Sequence, residues 1–255
     1  MQTSTIKGVL LDLGGTVYLE GALLPGAAEA LQLLRAHDIP YCYLTNSSRS
    51  PRTALLQKLR QLGVAVRDHE LFTAPMAVRA YLLEHNLTPW LLVHPVLREE
   101  FAGCPAGTPN AVVLGDAADA MSYQNLNHAF RLLFAGARLL AVGDNRYFQE
   151  ADGMSLDAGP FVRALEYAAG CEAIILGKPS PAFFHGAAAQ LGCRPGEVLM
   201  VGDDVAADVN GALKAGMKAA LVQTGKYRPG DEQRISRPGA CVCADLRAAV
   251  AGIVG

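Results

Sequence analysis

Short apolar runs alternate with amphipathic stretches of helical period along nearly the whole chain, which predicts an α/β protein built on parallel strands. The first run, IKGVLLD over 6–12, is continuously apolar, as expected of a strand buried on both faces. Pro25 and Gly26 open a helix in which Ala27, Ala30, Leu31 and Leu34 recur at helical spacing. YCYLT over 41–45 reads as the next strand. Ser50-Pro51 reads as the N-cap and first-turn proline of a helix with Leu55, Leu56, Leu59 and Leu62 on one face. A further helix is expected over about 75–86.

Beyond it the rhythm loosens. LLVHP, AVVLG and RLLAVG are separated by Gly- and Pro-rich connections, and a polar stretch over 143–160 exceeds the ~12–15 residues common for a connection. From AIILGKPSP the earlier alternation returns: helix 181–191, strand EVLMVGDD, helix 205–215, strand KAALVQT, then a last strand and helix in CVCADLRAAVAGIV. The middle region, 80–172, therefore reads as a second α/β unit inserted into a first formed by 1–79 and 173–255.

Composition narrows the class of partner. The chain has 255 residues, 51% of them hydrophobic, enough for a sizeable core. Its 22 basic and 24 acidic residues nearly cancel and form no Lys/Arg block, so the electrostatic footprint of a nucleic-acid or anionic-membrane binder is missing. Strand-like sequence begins by Ile6, too early for a cleavable leader, and no apolar run approaches the ~20 residues that cross a bilayer, so a cytoplasmic protein is expected. The six cysteines are scattered, which suits reduced thiols. Cys241 and Cys243 share one face of a strand, without the second cluster a zinc site needs. The six histidines are dispersed and none adjoins a polar strand end.

Four apolar runs end in polar groups: Asp12, Thr45-Asn46, Lys178 and Asp203-Asp204. In an open parallel sheet the carboxyl ends of the strands share one edge, where ligands bind, so residues far apart in sequence can converge there. Asp204 and Asp208 also suit the N-terminus of the helix that follows, where negative charge is favourable.

LLDLGGT, YLTNSS, GKPSP and VGDDVAADVNGALKAGM resemble, in order and spacing, motifs I to IV of the haloacid dehalogenase superfamily. The resemblance spans essentially the whole chain, and the insertion between motifs II and III looks like the large α/β cap of subfamily IIA. Within it, SYQNLNHAF, GPFVRALEYA and TGKYRPGDE are similar to phosphatases acting on phospholysine, phosphohistidine and inorganic pyrophosphate. The resemblance implies a Rossmann-like doubly wound parallel sheet with an inserted α/β cap domain, and a Mg²⁺-dependent phosphatase. Asp12 would be the nucleophile, passing through an aspartyl-phosphate that water hydrolyses. Asp12, the backbone carbonyl of Gly14 and Asp203 would hold the Mg²⁺, with Asp204 and Asp208 in support. Thr45 and Lys178 would assist catalysis and bind the substrate phosphate together with the backbone N–H groups of Asn46 and Ser47. A small phosphorylated substrate or phosphoamino acid is the implied partner, and a homodimer the implied assembly.

One position departs from the pattern. Most phosphatases of that superfamily carry at position 14 an Asp that protonates the leaving oxygen and later deprotonates the attacking water; here it is Gly14. A missing general acid costs about 10²- to 10⁴-fold when the leaving group is poor. The cost shrinks for imidazole, amine, phosphate or phenolate leaving groups, so a bias to phosphohistidine, phospholysine, pyrophosphate or aryl phosphates is expected. Two alternatives stay open: a metal-independent carbon–halogen hydrolase, against which the paired Asp203 and Asp204 speak, and a non-catalytic phospho-ligand binder that kept the fold. In the middle region Tyr123, Asn127, Asn145, Arg146 and Asp157 are polar groups that suit either substrate contact or local structure.

Overall fold

In the computed structural model residues 6–150 and 153–254 are described. The chain opens with β1 (Gly8–Asp12), the short ribbon β2 (Tyr18–Leu19) and β3 (Ala22–Leu23), α1 (Ala27–Ala36), β4 (Tyr41–Thr45), α2 (Arg52–Gln61) and β5 (Leu71–Thr73). There follow α3 (Ala74–Glu84), β6 (Pro89–Leu92), β7 (Ala111–Leu114), α4 (Tyr123–Phe134), β8 (Arg138–Ala141), β9 (Tyr147–Glu150), β10 (Gly153–Leu156), α5 (Ala158–Ala169) and β11 (Ile174–Ile175). The last part holds α6 (Pro181–Gln190), β12 (Val198–Gly202), α7 (Gly211–Lys214), β13 (Lys218–Val222), β14 (Ala240–Cys243) and α8 (Leu246–Val254). The strands and helices read from the sequence recur in that order, with β2, β3, β5, β9 and β10 in addition to them.

The chain groups into two compact units. One holds Met1–Thr45, Leu55–Phe72 and Lys178–Gly255; the other holds Asn46–Ala54 and Thr73–Gly177. In the first, six strands lie in the order β14-β13-β12-β1-β4-β5, of which β14, β13, β12, β1 and β4 run parallel to one another. β1 and β12 are buried along their full length, which accounts for the unbroken apolar runs that encode them. Ala27, Ala30, Leu31 and Leu34 of α1 pack with Leu246, Ala249 and Val250 of α8 and with Val9 and Leu11 of β1 in one core cluster. From β1 the chain runs to β4 and β5 on one side and later returns to β12, β13 and β14 on the other. The strand order therefore reverses between β1 and β12, and the carboxyl ends of those two strands flank the switch point.

The second unit has its own four-stranded sheet, β11-β8-β7-β6, parallel throughout. Its core gathers Val112 and Leu114 of β7, Leu139 and Ala141 of β8, Ala129 and Leu133 of α4, and Val162 and Leu165 of α5.

Several boundaries differ from the sequence reading. The second unit is wider than 80–172. Residues 173–177 go with it because β11 pairs with β8, Ile174 opposite Leu140. The start of α3 goes with it because that helix packs on the 95–101 segment, where Arg79 donates to the Ala102 carbonyl. The polar stretch 143–160 is no plain loop: β9 and β10 pair antiparallel within it, Tyr147 opposite Leu156. Their alternation escapes a hydrophobic reading because Met154 and Leu156 face outward. The helix expected over 205–215 begins as a π-helical turn, Val205–Asn210, because Asp204 caps it and the Val209 N–H reaches back five residues to the Asp204 carbonyl at 3.3 Å. On the edge strand β14 the sulfurs of Cys241 and Cys243 lie 3.8 Å apart, as their shared face requires. No helix among the described residues is long and apolar enough to cross a membrane.

Candidate active site

Three neighbouring strands of the first unit end at the switch point. β1 ends on Asp12; β12 ends on Gly202 and is followed by Asp203; β4 ends on Thr45, one residue past the partner of Asp12 in the ladder. The turn after Asp203 brings a further carboxylate back. Asp204 accepts the N–H groups of Ala206 and Ala207 at 2.9 and 3.0 Å and so starts the Val205–Asn210 helix, which returns Asp208 over the end of β12. A Cβ on Gly202 would overlap the Asp208 carboxylate, so only glycine closes that strand.

Asp12, Asp203 and Asp208 each place a carboxylate oxygen within 4.8 Å of the others, and they are 8%, 2% and 1% exposed. Charges this close are costly without a cation. Lys178 is the resident one: its buried ammonium donates to Asp12 Oδ1 and, at 2.7 Å, to Asp208 Oδ1. Burial works against the charged ammonium, but the Asp12 and Asp208 carboxylates outweigh it and push its pKa up. Burial, then Asp12 and Asp208, raises the Asp203 carboxyl to about 8. Burial likewise raises Asp208, opposed by Lys178 and reinforced by Asp12 and Asp204. A buried acidic triad with one monovalent partner matches the all-oxygen donor set of a divalent cation. The residues present fit such an ion.

The Asp203 carboxylate is clamped by glycines. Gly15 at φ +88° and Gly225 at φ +58° approach it so closely that a Cβ on either would overlap it. The Lys226 N–H donates to Asp203 Oδ2 at 2.6 Å, and the Thr224 hydroxyl donates to the Gly15 carbonyl at 2.5 Å. The Lys226 ammonium lies 3.4 Å from Asp204. These three residues, 224–226, were absent from the candidates named from strand ends, although TGK begins two residues past the end of β13.

Gly14 is exposed, and a Cβ there would have nothing within 4 Å. No acid among the described residues fills that place. Of the remaining candidates, Lys178 does not follow a core strand as expected: it comes one residue after Gly177, past β11 of the second sheet. Asn46 and Ser47 belong to the second unit, where the Asn46 side chain lies against Gly143 and Gly177. In that unit Asn145 donates to Asp157 at 3.0 Å, and Asp157 caps α5 through the Ala158 N–H at 2.7 Å. Tyr123 is 84% exposed at the start of α4.

A haloacid dehalogenase-like hydrolase family model matches residues 9–105, and a HAD-hydrolase-like model matches 175–249. The sequence is 43% identical over 245 residues to human haloacid dehalogenase-like hydrolase domain-containing protein 2, covering 96% of this chain and 95% of that one. The chain belongs to the haloacid dehalogenase-like hydrolases. This hydrolase is also 40% identical over 233 residues to human phospholysine phosphohistidine inorganic pyrophosphate phosphatase, covering 89% of its own chain and 86% of the relative. Its fold matches that of a 4-nitrophenylphosphatase from Thermotoga maritima with a TM-score of 0.89 at 29% identity, over 97% of both chains. Both matched segments of the haloacid dehalogenase-like hydrolase contain its acidic site, Asp12 in one and Lys178, Asp203, Asp204 and Asp208 in the other.

Proposed function

We propose that this chain is a Mg²⁺-dependent phosphatase acting through an aspartyl-phosphate on Asp12. Its bias is to phosphoramidate, pyrophosphate or aryl phosphate bonds. Relatives named as phosphatases, by sequence and by fold, support the reaction class. The observation that carries the substrate bias is Gly14, an open position beside the nucleophile with no carboxyl of its own.

Asp12 attacks phosphorus in line, and the bond to the leaving group breaks opposite it. Lys178 holds Asp12 in place and offers positive charge to the phosphoryl oxygens. The Thr45 hydroxyl, with the backbone N–H groups of Asn46 and Ser47 that follow it, cradles those oxygens. Mg²⁺, held by Asp12, Asp203 and the Gly14 carbonyl, would neutralise the phosphoryl charge. Asp208 supports from behind, because one of its oxygens is engaged by Lys178 and the other by the Asp204 N–H at 3.2 Å. Asp204 serves mainly as the cap of the following helix. The middle region, as a cap domain, selects among small phosphorylated substrates and phosphoamino acids.

Phosphate release from phosphohistidine, pyrophosphate, an aryl phosphate and a sugar phosphate, with Mg²⁺ or with EDTA, tests the reading. Expected is metal-dependent release, greatest for the first three and abolished by Asp12→Asn. Equal or better turnover of the sugar phosphate would overturn the bias. Chloride release from 2-chloropropionate without metal would move the chain to the dehalogenases, and silence toward all substrates to the non-catalytic binders.

A further inference from the structure

Position 14 lacks a side chain, but the residue paired with it across the turn does not. The Tyr18 N–H donates to the Leu13 carbonyl at 3.1 Å, and the Tyr18 carbonyl accepts the Gly15 N–H at 2.8 Å. These two bonds bridge Gly14 to Tyr18 as residues on adjacent strands are bridged. Side chains of residues paired in this way leave the backbone on one face. On this pairing the Tyr18 side chain leaves the backbone on the face where residue 14 would have carried its acid, a place with nothing within 4 Å of a Cβ.

The ring is held by its neighbours. It packs half-buried against the core cluster of the first unit, and the Lys58 ammonium sits 4.2 Å above its centroid. Burial, and after it the Asp12 carboxylate, raises the pKa of the hydroxyl, so at neutral pH it carries its proton within range of the charge on Asp12. Lys178 is engaged by Asp12 and Asp208, Lys226 by Asp204, and Lys58 by the ring itself.

We propose that Tyr18 donates a hydrogen bond to the leaving oxygen and thereby sets which leaving groups this site accepts. This deepens the phosphatase reading and rests on it. As the Asp12 oxygen bonds to phosphorus, the phosphorus–oxygen bond of the substrate breaks and its electron pair stays on the leaving oxygen. The Tyr18 O–H stabilises that charge and keeps its own proton. A phenolate or phosphate can depart on those terms and take a proton from water afterwards, whereas a sugar alkoxide cannot. A hydrogen bond to a charged oxygen is worth about 10- to 100-fold in rate.

The test is a series of aryl phosphates from dinitrophenyl through nitrophenyl to phenyl phosphate, hydrolysed by the full chain with Mg²⁺ as wild type and as Tyr18→Phe. Expected is an unchanged kcat/KM for the most acidic phenol and a fall of about 10- to 100-fold for phenyl phosphate, so that the dependence on phenol acidity steepens. Adding Gly14→Asp to Tyr18→Phe should restore phenyl phosphate turnover. A uniform loss across the series, or none, would overturn the role of Tyr18 while leaving the phosphatase intact. Wild-type silence toward the whole series would overturn both. Mg²⁺-induced thermal stabilisation of Tyr18→Phe equal to that of wild type verifies that the site is folded.

Discussion

The Lys178 ammonium stands 2.7 Å from Asp208 Oδ1, both side chains being buried, and the same ammonium is bonded to Asp12. One cation thus fixes the position of Asp12 and compensates a second buried carboxylate. Removing a partner from a buried ion pair costs about 3–5 kcal/mol because it strands a charge. Lys178→Met should therefore lower stability in urea titrations by roughly that amount near neutral pH. A loss below about 1 kcal/mol, the scale of an exposed pair, would show that Lys178 is not what compensates the carboxylates.

Gly14→Asp should be accepted structurally, since its Cβ meets nothing within 4 Å and the residue does not need a left-handed backbone. Its expected effect is a gain toward alkyl phosphates, up to the ~10²- to 10⁴-fold attributed to a general acid. An unchanged melting temperature with no gain in sugar phosphate turnover would mean that the missing acid does not limit the enzyme.

Metal binding should tighten with pH. The Asp203 carboxyl is raised to about 8, above its ordinary value, so the stability linked to its proton is present at low pH and lost as pH rises through about 8. A divalent ion needs the ionised form and must displace that proton. The Mg²⁺-induced rise in Tm should be larger at about pH 8.5 than at about pH 6.5 in differential scanning calorimetry, and Asp203→Asn should erase the difference. A wild-type difference that persists in that variant would point to another group.

Gly15→Ala and Gly225→Ala should each disable the site. A left-handed backbone alone costs a non-glycine residue about 1–2 kcal/mol, and the added methyl would also press on the Asp203 carboxylate. Loss of Mg²⁺-dependent stabilisation with retained far-UV circular dichroism is the expected signature. Gly63→Ala, also at positive φ but with open space around its Cβ, is the control that separates backbone strain from the clash.

Much of this was legible in the chain. Asp12, Thr45 and Asp203 announce themselves because each ends an apolar run, and β1, β4 and β12 lie side by side. The helix faces were readable for the same reason: Leu55, Leu56 and Leu59 recur at helical spacing and are all buried. The clamp at 224–226 was not, because it works through an amide, a hydroxyl and a glycine conformation, none of which leaves a hydrophobic period. The hairpin β9–β10 escaped for a related reason, since its outward residues include apolar ones.

By itself the sequence determined the order of most strands and helices and the kinds of group at their ends, because burial selects apolar residues with the period of each element. It also determined that residue 14 contributes no acid. Only the tertiary structure decided which groups meet. Lys178 arrives from beyond a strand of the second sheet and still lands on Asp12, and Asp208 folds back over Gly202 to share it. Tyr18 pairs with Gly14 through two backbone bonds. These partnerships depend on through-space distances of a few ångströms, set by the return of the chain to the sheet, and a one-dimensional pattern does not carry them.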